Sequence, residues 1–382
     1  MKRLLLLAAL PALLPLLASA QETPSWIRKN AISPDGKTVV FSYKGDLYTV
    51  PSSGGTARQL TSNAAYESDP LWTPDGKQIV FTSWREESRD IYVTSREGGV
   101  PRRLTTLPGN ETLLAVDAEG NVWFSWYDAN LQSTGFDGFP GFQQLYKTNL
   151  EGKAPELVSS LTMGALSISA KGDMLYEDYK GYEDPLRKHH TSSVTRDIWL
   201  YRPAVAGKVG PEGSFTQLST YKGEDRNPVF AADGDTFYFL SEQDGKTSNV
   251  YRSSLSRPNE QTQLTFYEKN PVRFLSVSGD GTLAYSYNGD LYVNNKKLEI
   301  SLFRDEEERE MERLNLKNAT ALAVSPGGKE LAVVIRGDVF VTSVDYATTR
   351  RITNTAEQER GVSFSEDGRE LYYASERGGC WS

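Results

Sequence analysis

The chain of 382 residues has one cysteine, Cys380, and two histidines, His189 and His190, side by side. A lone cysteine can form no disulfide within the chain. Two adjacent histidines, without ligand spacing or a cysteine partner, make no zinc motif. Gly-x-Ser-x-Gly does not occur, so no nucleophile elbow is written, and no recognisable motif sets a serine near the histidines. The sequence therefore offers no catalytic residue, no metal-ligand set and no cofactor-binding motif. It also lacks excess positive charge: 42 Lys and Arg stand against 50 Asp and Glu, a net charge of −8. An acidic balance argues against nucleic acid or an anionic membrane surface as the partner.

Long apolar runs are missing too, except at the start. Met1-Lys2-Arg3 is a short basic head, the stretch from Leu4 to Leu17 is apolar apart from two prolines, and Ala18-Ser19-Ala20 fits a small-residue cleavage site. Residues 1–20 read as a secretory signal, too short and too proline-broken to span a membrane. No cysteine follows the cleavage site, so no lipid anchor is expected there. The mature chain should begin near Gln21, exported and periplasmic, with 40 basic against 50 acidic residues once Lys2 and Arg3 are gone, or −10.

What is present is a repeat. Ser33-Pro34-Asp35-Gly36-Lys37 is a tight turn between apolar runs. In it Pro34 presets φ, Asp35 bonds back to the backbone and Gly36 tolerates positive φ. The turn returns around Gly76, Gly120, Gly172, Gly234, Gly281, Gly328 and Gly368. A second signature, Asp46-Leu47-Tyr48, returns at Asp90-Ile91-Tyr92, Asp197-Ile198-Trp199, Asn249-Val250-Tyr251, Asp290-Leu291-Tyr292 and Asp338-Val339-Phe340. A third, Gln59-Leu60-Thr61, returns at Arg103-Leu104-Thr105, Gln217-Leu218-Ser219, Gln263-Leu264-Thr265 and Arg351-Ile352-Thr353. Four short strands per roughly 40–45 residues is the period of a β-propeller blade. The recurring aspartates at one blade position read as structural hydrogen-bonding groups rather than as a set of active sites.

The expected fold class is all-β: a six-bladed propeller at 26–303, followed by the start of a second one. Blades are expected at about 26–61, 66–107, 110–161, 163–221, 225–268 and 270–303. The third carries an aromatic, glycine-rich insertion at 136–142, and the fourth a charged insertion from Glu177 to Arg196, between its second and third strands. Residues 304–320 read as a charged linker, solvated or briefly helical. At 321–382 the repeat resumes for one blade and a half, and the unpaired half-blade suggests a chain cut inside a second propeller.

The form Ser-Pro-Asp-Gly-Lys … Asp-Leu-Tyr … Gln-Leu-Thr resembles the propellers of TolB and of tricorn proteases. The blade-four insertion narrows the resemblance: Glu177-Asp178-Tyr179-Lys180-Gly181-Tyr182-Glu183-Asp184-Pro185, running on through Arg187-Lys188-His189-His190 to Asp197-Ile198-Trp199, is similar to the first propeller of bacterial tricorn-type proteases. That resemblance implies the N-terminal region of an exported serine peptidase, filtering or conducting peptides to or from a catalytic domain lying beyond Ser382, with no catalytic residue to carry over here. Two other functions stay open: a non-enzymatic, TolB-like propeller that holds a protein partner, and the propeller of a prolyl-oligopeptidase-like enzyme. Arg187, Lys188, His189 and His190 are the candidate contact for a peptide or protein partner, since they concentrate positive charge in an acidic chain. The alternative is that they pair with Glu177, Asp178, Glu183 and Asp184 to fold the loop.

Overall fold

The computed structural model describes residues 21–127, 143–181, 191–205, 209–210, 212–303, 317–355 and 357–382. The expected signal segment, the expected insertion at 136–142, the middle of the expected blade-four insertion and most of the expected charged linker lie outside them. Every regular element among the described residues is a strand, and no helix there is long and apolar enough to cross a membrane. The chain divides into two compact units, 1–305 and 306–382.

In the first unit the described residues form six four-stranded antiparallel sheets, each taken up in chain order. The first is Arg28–Ile32, Thr38–Tyr43, Asp46–Pro51 and Arg58–Gln59. The others open on Glu67–Trp72, Thr112–Val116, Leu166–Ile168, Asp225–Phe230 and Val272–Val277. Second strands such as Thr38–Tyr43 are buried on both faces, because each sheet is covered on either side by its neighbours. Val40, Leu47 and Leu60 of the first sheet meet Trp72, Ile79 and Phe81 of the second, and comparable clusters follow between the later pairs.

The series closes on itself. Ile32, Val39, Phe41 and Tyr48 of the first sheet share a core with Ala284, Leu291 and Val293 of the sixth. The opening strand of the first sheet is also tied to the sixth sheet, Asn30 Nδ2 donating to Ser286 Oγ of its second strand at 3.0 Å and the Ile32 N–H to Ser276 Oγ of its opening strand at 3.0 Å. A short three-stranded sheet covers the same seam. In it Ile300–Phe303 pairs with Gln21–Glu22 on one side and runs parallel to Gly55–Thr56 on the other. The repeat pattern carries no sign of this sheet, and the fourth strand of the sixth sheet is Lys296–Lys297 instead.

The three sequence signatures are local hydrogen-bond devices. In the turn, the Ser33 hydroxyl donates to Asp35 Oδ1 at 2.6 Å and accepts the Thr38 N–H at 3.0 Å, while Gly36 takes φ of 70°. Thr73 and Asp75 repeat the arrangement. The third-strand acids are held from the fourth strand: Gln59 donates to Asp46 at 3.0 Å, Arg103 meets Asp90 at 2.8 Å and Lys297 meets Asp290 at 2.9 Å. The closing hydroxyl accepts the N–H that follows the acid, Leu47 to Thr61 at 2.9 Å, Ile91 to Thr105 at 3.0 Å and Ile198 to Ser219 at 2.9 Å. These fourth strands make only two to four residues of ladder, so the side-chain bond supplies what the ladder lacks.

The second unit repeats the pattern in one four-stranded sheet, opening on Ala321–Val324, and a two-stranded one, Glu359–Phe364 with Leu371–Ser375. Its Thr353 hydroxyl accepts the Val339 N–H at 2.9 Å, and Arg351 holds Asp338 at 2.7 Å.

A test follows from the closing hydroxyl. Thr61→Val keeps the side-chain shape but leaves the buried Leu47 N–H without its acceptor, at a cost of about 1–3 kcal/mol. Chemical denaturation should show that loss in the first unit. Unchanged stability would show that the hydroxyl is dispensable.

Candidate functional site

The innermost strands of the six sheets enclose a cavity of about 770 Å³. Every sheet contributes wall: 28–30, 68–71, 112–114, Glu224 with 226–227, 271–275, and, leading into the fourth sheet's opening strand, 162–165. Such a lining follows from the stacking, since the strand that opens each sheet faces the middle and has no neighbour there.

Those opening strands are not straight. The pairing slips between Ser68 and Leu71, between Arg226 and Val229, and between Arg273 and Ser276. Each slip is a β-bulge with one residue in the left-handed region: Asp69 at φ 53°, Asn227 at φ 50° and Phe274 at φ 56°. Bulges re-aim side chains and backbone groups away from the ladder, here toward the cavity. Aspartate and asparagine tolerate that conformation. The prolines that follow them, Pro70 and Pro228, sit where ladder pairing has lapsed.

Charge is arranged within the wall. Lys29 Nζ lies 2.7 Å from Asp69 Oδ1 and 5.1 Å from the centre of the Phe274 ring. Burial pushes the Asp69 carboxyl up, but the Lys29 ammonium, Arg89 and the Thr82 hydroxyl together hold it below the usual range. Farther round, Arg226 lies 3.6 Å from both Glu177 and Glu224. The Asn227 N–H donates to Glu177 Oε1 at 2.6 Å. Positive and negative groups therefore alternate around an opening flanked by Leu71, Leu113, Met163 and Leu275. Amphipathic walls of this kind suit a flexible chain with its own polar backbone and mixed side chains. Among the described residues no cluster of His, Cys, Asp and Glu is placed to hold a metal.

Arg187, Lys188, His189 and His190 lie outside the described residues. The feet of their insertion are described. Asp178 Oδ1 accepts the Asp197 N–H at 2.8 Å, and Lys180 meets Asp178 at 3.3 Å and the Thr195 carbonyl at 2.9 Å. Of the four acids that could pair with the basic cluster, Glu177 and Asp178 already bond to other groups, and Glu183 and Asp184 lie outside the described residues. A shallower hollow of about 420 Å³ lies beside these feet, between Lys180, Ser192 and Tyr221. The cavity wall itself was not legible as a site. Its nearest trace in sequence is the recurrence of Asp69-Pro70 and Asn227-Pro228 just inside the first strand of a repeat.

Two buried acids near the inner ends of the sheets titrate abnormally. Burial pushes Glu111 up to about 7 against the Thr105 hydroxyl, and it pushes Asp225 up to about 7 against Ser241 and Ser219. Folding then disfavours their ionised forms, so both contribute full stability below the ordinary carboxylate range and lose it as pH rises through about 7. The melting temperature of the wild type should fall between pH 5 and 8. The Glu111→Gln/Asp225→Asn double variant should lose most of that slope, and a slope unchanged by the substitutions would contradict the assignment.

Closed stacks of four-stranded antiparallel sheets around an axial cavity are the architecture of a β-propeller. Residues 24–299 match the family described as the tricorn protease N-terminal beta propeller domain, and the chain belongs to that family. Tricorn protease homolog 1 of Streptomyces coelicolor is 24% identical over 277 residues, 68% of this chain and 23% of that protein. The tricorn protease of Thermoplasma volcanium is 24% identical over 357 residues, 87% of this chain and 32% of its own length. The crystal structure of the tricorn protease superposes with a TM-score of 0.58 at 18% identity, covering 92% of this chain and 33% of that one, which speaks for the fold alone. The chain thus spans between about a quarter and a third of the length of these relatives.

Proposed function

We propose that this chain is the N-terminal propeller region of an exported tricorn-type serine peptidase, in which the axial cavity admits peptides on their way to or from a catalytic region beyond Ser382. On this reading 26–303 is a six-bladed ring, 304–320 a charged linker and 321–382 the opening of a second propeller, in a protein of the periplasm. The observation that carries the proposal is the cavity between the innermost strands of all six sheets. An extended peptide exposes backbone donors and acceptors on two sides with side chains on the others, and a wall of bulged strands offers both kinds of partner. Family membership supports the same reading, as does the length of the tricorn proteases beyond the region matched. On this reading the propeller's part is selection and passage, and the bond cleavage is assigned to the remainder of the protein. The basic cluster 187–190 remains a candidate contact for peptide carboxylates.

Narrowing the cavity tests the proposal. Ala165 and Ser248 line it with partly exposed side chains, so Ala165→Trp/Ser248→Trp should fill it while shifting the melting temperature by no more than about 3 °C. Binding of a fluorescein-labelled, end-capped hexapeptide to the mature chain should fall at least about fivefold. Wild-type affinity in the narrowed variant would place peptide binding elsewhere.

A further inference from the structure

Phe274 sits in a backbone conformation that suits it poorly. Its φ of 56° lies in the left-handed region, where a bulky aromatic is a true outlier. The equivalent bulges in the first unit carry Asp69 and Asn227, and Gly361 takes φ of 57° at the matching slip in the second unit. A phenylalanine there carries backbone strain. Core packing does not repay it. Phe274 is only partly buried and belongs to none of the six apolar clusters, although its neighbours Val272 and Leu275 both do. It lines the cavity instead, with the Lys29 ammonium 5.1 Å from its ring centre. That ammonium is itself fixed by Asp69 at 2.7 Å, so the first, second and sixth sheets each contribute one member of the cluster.

Resting on the reading of the cavity as a peptide passage, we infer that Phe274, Lys29 and Asp69 form a subsite for an aromatic side chain of an extended peptide. The Phe274 ring supplies a face or an edge for stacking. The Lys29 ammonium lies against that ring, where a second aromatic face can also meet the cation. Asp69 keeps Lys29 from swinging away. The bulge that strains Phe274 also holds its ring out of the core, so strain and exposure have one cause. Strain retained without a packing return is what a binding role would maintain.

The test uses the mature chain and two end-capped hexapeptides that differ only in a central phenylalanine or alanine. Wild type should prefer the phenylalanine peptide by about tenfold. Phe274→Asn, which puts asparagine where Asn227 already shows that it fits, should melt at the same or a higher temperature and retain less than about a twofold preference. Melting several degrees lower, or preference intact in the variant, would overturn the subsite. Equal binding of both peptides by the wild type would overturn the subsite but leave the passage standing. Binding of neither peptide would overturn both.

Discussion

A stack of sheets has two open ends, and everything else in the first unit depends on how those ends are covered. Ile32, Phe41 and Tyr48 from one end and Ala284, Leu291 and Val293 from the other form one apolar core, with Leu298, Ile300 and Leu302 completing it. Each buried aliphatic or aromatic side chain contributes about 1.5–3 kcal/mol relative to its exposed state, so an unsealed seam would forfeit several such terms at once. The strand 300–303, wedged between 21–22 and 55–56, adds hydrogen bonds that cross from the end of the unit to its beginning. Closure sets the six opening strands around a common middle, and the cavity exists for that reason alone.

The cavity inherits its chemistry from a conflict. An opening strand must pair with the second strand of its own sheet, yet it has no partner on the inward side. A regular strand would turn unpaired backbone groups and alternate side chains inward with no choice of direction. The bulges at Asp69, Asn227 and Phe274 break the alternation and let particular groups face the middle. At Asn227 the result is structural: its N–H reaches Glu177, while its side chain exchanges hydrogen bonds with Leu275 backbone at 3.0 and 3.2 Å. At Phe274 the same backbone device carries an apolar ring outside the packed clusters. One geometry thus serves cohesion in one sheet and exposure in another.

Much of this fold could be read from the chain because its signatures are local. Ser33, Asp35 and Gly36 act within five residues of one another, and Asp46 and Thr61 act across a single hairpin and its fourth strand. The reading of the repeated aspartates as hydrogen-bonding groups agrees with their observed partners. The seam sheet was not legible, because strands of two and four residues carry no periodicity. The cavity was not legible either: its wall draws on positions spread from 28 to 275, and each looks like an ordinary first strand. Phe274 in particular reads as a normal strand aromatic, and only the backbone shows that it is misplaced. The basic residues 187–190 stood out by composition, a signal of charge without geometry, and they fall outside the described residues.

Where a peptide touches the protein is the most direct question. An end-capped hexapeptide with a central benzoylphenylalanine, irradiated with residues 21–382 and mapped by mass spectrometry, answers it without relying on any substitution. The account predicts adducts confined to the six inward segments, concentrated at 28–30, 68–71 and 271–275. Adducts on the outer strands or on the turns around Gly36 and Gly76, with none on the inward segments, would contradict it.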